Sequence, residues 1–313
     1  MSEATNNPGG LESAPDGDHL QRLLLEQANV RCVIAHVDGI YRETLARGHY
    51  PRAVAELLGE VLAVTALCSS GIKFSGRISL QLRASSAVKL LMADCTDAGG
   101  MRALARFDTP AVLAASGFAE QVAGGVMTMT VEPDGRGQAW QGIVPLAGDS
   151  LAEAVAGYFD QSEQLPTRVV LAVDGERAAG LLIQRLPGSA ADQDGWTRAC
   201  KLLETVDAAE LLATDAPTLL HRLFHEEERR LFPPRALQFF CPCSRQRVAR
   251  VLRGLGRDEL EALLHERGEV EAGCEFCNQR YHFDRLDITR LLLSDAPDPD
   301  SDPDSDHDPP TVH

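Results

Sequence analysis

Gly76-Arg77-Ile78-Ser79-Leu80-Gln81-Leu82-Arg83, Val88-Lys89-Leu90-Leu91-Met92-Ala93-Asp94-Cys95 and Met101-Arg102-Ala103-Leu104-Ala105-Arg106-Phe107 are three alternating segments set a few residues apart. Period-two alternation sends successive side chains to opposite faces of a pleated strand. Connections this short, one of them through Gly99-Gly100, join antiparallel neighbours, because a parallel pair needs a long crossover. Consecutive strands with few helices between them give an α+β class and not a doubly wound parallel sheet.

The same reading extends in both directions. Val126-Met127-Thr128-Met129-Thr130-Val131-Glu132 is a further strand, turned by Pro133-Asp134-Gly135 toward Ala139-Trp140-Gln141-Gly142-Ile143-Val144. Asp149 or Ser150 caps a helix with Glu153 in its first turn, and Leu151, Val155, Tyr158 and Phe159 share one face before Pro166 stops it. Arg168–Val173 turns at Asp174-Gly175 into Ala178–Gln184, a second hairpin. Upstream, Pro51 opens a helix in which Val54, Leu57, Leu58, Val61, Leu62 and Leu67 recur at helical spacing until Gly71. Before it, Val30–Val37 is apolar and β-branched, and Asp38-Gly39 reads as the turn of a hairpin whose return strand is Ile40-Tyr41-Arg42-Glu43-Thr44.

These segments place a sheet-rich core domain at 19–186, behind a loose tail at 1–18 that lacks apolar periodicity. Residues 187–240 read as a linker. Within it, 196–232 is helical in pattern, with Leu202, Leu203, Val206, Leu211, Leu212, Leu219, Leu220, Leu223 and Phe224 among charges that include Glu226–Arg230. Thr214 reads there as an exposed helical position. A small module follows at 241–290, and an Asp/Pro-rich acidic tail at 291–313.

Chemistry concentrates in the small module. Cys241-Pro242-Cys243 and Cys274-Glu275-Phe276-Cys277 are two close cysteine pairs separated by thirty residues. Each pair can grip one ion from one side, and the spacer is long enough to fold back, so Cys241, Cys243, Cys274 and Cys277 suit a closed tetrahedral zinc site. Two structural disulfides are the bland alternative, and the tight C-x-C spacing makes an oxidised form of the first pair conceivable in its own right. The module has few apolar residues beyond Val248–Leu255 and Leu260–Leu264, so its folding would lean on the metal. His265 and His282 lie near enough in sequence to replace a thiol, although four paired cysteines leave no ligand position for them.

Two rival functions start from these residues. Arg245, Arg247, Arg250, Arg253 and Arg257 could form a nucleic-acid surface beside a zinc knuckle. An arginine-rich helix is equally a way to balance the formal −2 of a zinc tetrathiolate. Either cysteine pair could instead serve a dithiol oxidoreductase, but neither sits in the strand-to-helix context of a thioredoxin-like motif.

Three segments resemble the Hsp33 family, in that family's order and over roughly residues 20–290. They are Phe239–Arg245 with Glu271–Asn278 and Tyr281–Asp284, the run Tyr158-Phe159-Asp160-Gln161-Ser162-Glu163-Gln164-Leu165-Pro166-Thr167, and Leu219–Glu227. The resemblance implies a cytosolic chaperone that holds zinc on four cysteines when reduced and binds unfolding client proteins once oxidised. It also implies disulfides Cys241–Cys243 and Cys274–Cys277 in the oxidised form, a pairing that adjacency in the sequence supports, and a homodimer in the active form.

Composition limits the other classes. The chain has 313 residues and a formal net charge of −16; setting aside the seven Asp after Arg290 leaves −9, which repels phosphate backbones. No apolar run approaches the roughly 18 residues that cross a bilayer. Eight cysteines, with Cys32, Cys68, Cys95 and Cys200 isolated, and no recognisable signal peptide suit the cytoplasm. Ser162, Glu163 and Gln164 have no histidine nearby in sequence, and neither a G-x-S-x-G elbow nor a phosphate-binding G-x-x-x-x-G-K-[ST] loop occurs. The expectation is a binding protein without catalytic residues and without ATP.

Overall fold

A computed structural model describes residues 17–71, 75–135, 137–188 and 190–293. The expected tails at 1–18 and 291–313 lie almost wholly outside the described residues. The chain divides into two compact units. The described residues up to Leu45 with His49–Phe239 make the first, and Ala46–Gly48 with those from Phe240 onward make the second.

In the first unit the elements run β1 (His19–Leu25), β2 (Val30–His36), α1 (Asp38–Ala46), α2 (Arg52–Ser69), β3 (Gly76–Arg83), β4 (Val88–Thr96) and β5 (Gly100–Phe107). Next come α3 (Thr109–Ala114), α4 (Phe118–Gln121), β6 (Val126–Pro133), β7 (Trp140–Pro145) and α5 (Leu151–Tyr158), which runs on into a π-turn at Phe159–Glu163. The unit closes with β8 (Thr167–Val173), β9 (Ala178–Arg185), α6 (Gly195–Leu203), α7 (Ala208–Ala213), α8 (Ala216–Phe224), β10 (Arg229–Leu231), β11 (Arg235–Ala236) and β12 (Gln238–Phe239). The class is α+β, as the alternating strands require.

Two six-stranded sheets result. One has the order β10-β1-β2-β9-β8 with β11 also on β1; the other has β12-β5-β4-β3-β6-β7. Helix α2 lies between them, packing on β3, β4 and β5 of one and on β2, β8 and β9 of the other. Both sides of α2 are therefore apolar, and Val54, Leu58, Val61, Leu62, Val64 and Leu67 are fully buried. The approach to the first sheet is close. A Cβ on Gly59 would stand 2.9 Å from both Val173 methyls, and one on Gly180 would stand 2.8 Å from Leu67.

The first sheet is buried on both faces. Val33, Ala35 and Leu182 point toward α2, while Cys32, Ile34, Leu181 and Ile183 point to the opposite face, where they meet α6, α7 and α8. That double burial explains why Cys32–Ala35, within Val30–Val37, is a continuous apolar run and not an alternating one. The three helices are 9, 6 and 9 residues long. Isolated helices need about 12–15 residues to be even marginal in water, so these exist by lying on the sheet.

Two expectations fail here. Ile40–Thr44 is not a return strand but part of α1, because the Asp18 carboxylate accepts hydrogen bonds from the Gly39 and Ile40 amides at 2.8 and 2.6 Å. Those contacts satisfy first-turn amides of a helix. The partner of β2 is instead β1, in the register His19↔His36 to Leu25↔Val30. The helical reading of 196–232 also runs too far, since Arg229–Leu231 leaves the helix to pair antiparallel with β1. Thr214 is extended, between α7 and the Asp215 cap of α8.

The second unit contains α9 (Arg245–Gly254), α10 (Arg257–Arg267), the antiparallel hairpin β13 (Val270–Gly273) and β14 (Arg280–Phe283), and α11 (Arg285–Leu293). Its core is eight buried side chains: Val248, Leu252, Leu260, Leu264, Val270, Ala272, Phe283 and Ile288. A core that small supplies at most about 3–5 kcal/mol.

Candidate metal centre

Local geometry places each cysteine pair. Ser244 caps α9, its hydroxyl accepting from the Arg247 amide at 3.2 Å, which sets the path of Cys241-Pro242-Cys243 just before the helix. The other pair sits at the tip of the β13–β14 hairpin. There the Cys274 amide donates to the Gln279 carbonyl at 3.0 Å and the Asn278 amide to the Cys274 carbonyl at 2.7 Å. Asn278 takes the left-handed conformation, φ 54°, that closes the turn. Phe276 between the two cysteines is buried.

This folding brings the Sγ atoms of Cys241, Cys243, Cys274 and Cys277 within 4.8 Å of one another. Cys241 and Cys274 approach to 3.6 Å, and Cys243 and Cys277 to 3.3 Å. A tetrahedron with metal–sulfur bonds of about 2.3 Å has edges of about 3.8 Å, so the cluster fits a four-coordinate thiolate site. Both of these contacts run between the pairs. Four cysteines in this arrangement can bind a metal ion.

The electrostatics point the same way. Hydrogen bonding to the Cys241 sulfur pushes the Cys274 thiol up to about 11, and the same neighbour together with Cys274 pushes the Cys277 thiol higher still. Sulfurs this crowded resist acquiring charge on their own, and a divalent cation reverses that balance. The Tyr281 hydroxyl donates to the Cys243 sulfur at 3.2 Å. Sequence reasoning missed Tyr281, although its position three residues past the turn was the available signal.

The histidines stay outside the cluster. His282 Nδ1 lies 3.3 Å from a Glu269 carboxylate oxygen, and His265 is exposed on α10. Arg245, at the start of α9, donates to the His282 carbonyl and to Asp287, both at 2.6 Å, with its guanidinium 4.3 Å from the centre of the Phe283 ring. Cys32, Cys68 and Cys95 are buried, and burial pushes the Cys68 thiol up to about 12. They behave as small apolar side chains.

The run Tyr158–Thr167 forms a helix exit. Tyr158 is buried and donates to Glu163 at 3.2 Å, Gln164 is left-handed with φ 55°, and the Asp160 carboxylate accepts from the Thr167 amide at 3.2 Å. The Tyr158–Glu163 and Asp160–Thr167 contacts serve to turn the chain from α5 into β8.

The Hsp33 protein family model matches residues 18–284, a span that includes all four clustered cysteines and ends just before α11. The chain belongs to the Hsp33 family. It is 46% identical to the 33 kDa chaperonin of Pseudomonas paraeruginosa, over 88% of this chain and 94% of that protein. Identity to the Azotobacter vinelandii 33 kDa chaperonin is 45%, over 88% and 95%. The crystal structure of the Thermotoga maritima 33 kDa chaperonin, an Hsp33 homologue, superposes with a TM-score of 0.76 at 21% identity, covering 88% of this chain and 97% of that one. The Hsp33 fold is thus shared at an identity where sequence alone is a weak guide. Among the described residues no helix is long and apolar enough to cross a membrane.

Proposed function

We propose that this chain is a redox-switched, ATP-independent holdase of the cytoplasm, a chaperone that binds unfolding proteins without catalysing a reaction. The carrying observation is the four-sulfur cluster of Cys241, Cys243, Cys274 and Cys277 in a chain of the Hsp33 family. Zinc, when bound, would balance the thiolate charge and tie the two cysteine pairs together, contributing on the order of 10–16 kcal/mol as structural zinc does in zinc-finger peptides. That exceeds what eight buried side chains supply, so the thiolates govern whether the second unit is folded.

Oxidation joins Cys241 to Cys243 and Cys274 to Cys277, and disulfide sulfurs are poor metal donors. Adjacency in the chain and family membership support this pairing. Because the 3.6 and 3.3 Å sulfur contacts run between the pairs, forming disulfides within the pairs takes the ligand shell apart. The linker at 187–240 then loses support. Its last strand, β12, pairs with β5 through Gln238 with Gly100 and Phe239 with Met101, and ends two residues before Cys241. Release of α6–α8 would uncover Leu211, Leu219, Leu220 and Phe224 together with the sheet beneath, an apolar surface suited to clients in a homodimer.

The contacts of Arg245 with Asp287, His282 and Phe283 support charge balance and packing as its role over nucleic-acid binding. The test is zinc content and suppression of client aggregation, before and after peroxide or hypochlorite. One zinc per reduced chain, none after oxidation, and suppression only in the oxidised protein are expected. Metal retained after all four cysteines are oxidised, or equal suppression in both states, would overturn the proposal.

A further inference from the structure

Tyr281 lies in the stem of the hairpin whose tip carries Cys274 and Cys277. Its backbone pairs with Ala272 on β13, and its ring is half-buried against the small apolar core of the second unit. From there the hydroxyl reaches the Cys243 sulfur, 38 residues earlier in the chain, at 3.2 Å. One hairpin thus offers two sulfur ligands from its tip and a hydrogen-bond donor, from its stem, to a ligand of the other pair.

A thiolate sulfur has three lone pairs. A metal takes one, and the others are open to donors or to electrophiles. An O–H aimed at such a sulfur stabilises its negative charge, which lowers its basicity, and thiolate nucleophilicity falls as basicity falls. Donors outside the ligand shell also hold ligands in place for the metal.

We infer that Tyr281 is a positioning residue of the metal centre, whose hydroxyl holds Cys243 in the ligand shell and slows its reaction with oxidants. The inference rests on the metal-binding, redox-switched reading above. In the step it restrains, one thiolate attacks a peroxide oxygen, the O–O bond breaks and hydroxide leaves, giving a sulfenic acid. The second thiolate of the pair attacks that sulfur, the S–S bond forms and a second hydroxide leaves. Two thiolates lose two electrons and one hydrogen peroxide gains them. Tyr281 acts before this step, on how readily Cys243 gives up its electron pair, and so sets the threshold of the switch.

The test compares the full-length protein with Tyr281→Phe, which keeps the ring and removes only the donor. Both are reduced, loaded with Zn²⁺ or Co²⁺, and followed by chelator competition, by the sulfur-to-cobalt charge-transfer band, and by metal release under hydrogen peroxide. In Y281F the affinity should fall about tenfold. The charge-transfer band should move to longer wavelength as the sulfur becomes a stronger donor, and release should quicken about threefold. A 3-fluorotyrosine at position 281, a stronger donor, should shift the band and the release rate the opposite way, and this arm remains decisive if Y281F folds poorly. Band and release rate unchanged in both variants would overturn the inference. A wild-type chain that binds neither ion would overturn the metal-binding reading itself, a separable result.

Discussion

The two units of this chain are folded by different forces. The first buries a long helix between two sheets and a second apolar layer beneath α6–α8, so its stability is spread over many side chains. The second has a core cluster of eight buried apolar side chains beside four clustered sulfurs, so on the proposed metal-binding reading its stability is concentrated in one site. Distributed apolar burial has no single bond whose chemical change unfolds it. A thiolate site fails at once, by a chemical event, which is the property a sensor needs.

Removing one ligand should break this contrast most sharply. Cys274→Ser should abolish tight metal binding and unfold residues 241–290 in reducing buffer, a loss on the order of 10 kcal/mol for that segment. Segment-resolved hydrogen exchange would report it, with residues 30–185 keeping their protection. Equal loss throughout would mean that the first unit has no stability of its own.

A core substitution should do the converse. Leu62 is fully buried in α2, and Leu62→Ala should cost about 2–5 kcal/mol of first-unit stability in denaturant unfolding. Chelator-competed metal affinity should stay at the wild-type value. A parallel fall in affinity would contradict independent sources of stability.

The smallest effect concerns pH and sharpens the comparison within the first unit. The buried His36 Nε2 lies 3.0 Å from the Leu211 carbonyl of α7; the carbonyl can only accept, so Nε2 carries the proton. Burial holds the His36 pKa below the usual histidine value, and the nearby His19 acts in the same direction, partly offset by the Leu211 carbonyl, Asp38 and Asp18. With the folded pKa below the unfolded one, the unfolded chain binds more protons between the two. Stability present at neutral pH is then lost as pH falls from about 6.5 through the folded value, by at most about 1.4 kcal/mol per pH unit. Exchange protection of α7 should weaken at pH 5.5 relative to pH 7.5, and His36→Gln should flatten the difference. Protection that rises on acidification would have the wrong sign.

Much of this was legible in the chain itself. Alternation at Gly76–Phe107 was enough for the antiparallel sheet, because period-two patterning is local and survives in any tertiary setting. The four cysteines marked the candidate site because two close sulfur pairs can meet around one ion. Local signals misled where a distant residue changed their meaning. Asp38-Gly39 looks like a hairpin turn until Asp18, twenty residues earlier, supplies the carboxylate that makes it a helix start. Arg229–Leu231 continues a helical charge pattern, yet β1 has a free edge and takes it as a strand.

The sequence by itself determined the fold class and marked the four cysteines of the candidate site, since both rest on residue type and short spacing. Tertiary structure alone decided that both faces of the first sheet are covered, that sulfurs of the two cysteine pairs approach to 3.6 and 3.3 Å, and that Tyr281 reaches Cys243. Those are contacts between residues tens of positions apart. A hydrogen bond or a sulfur contact depends on differences of a few tenths of an ångström, which packing settles and one-dimensional spacing does not encode.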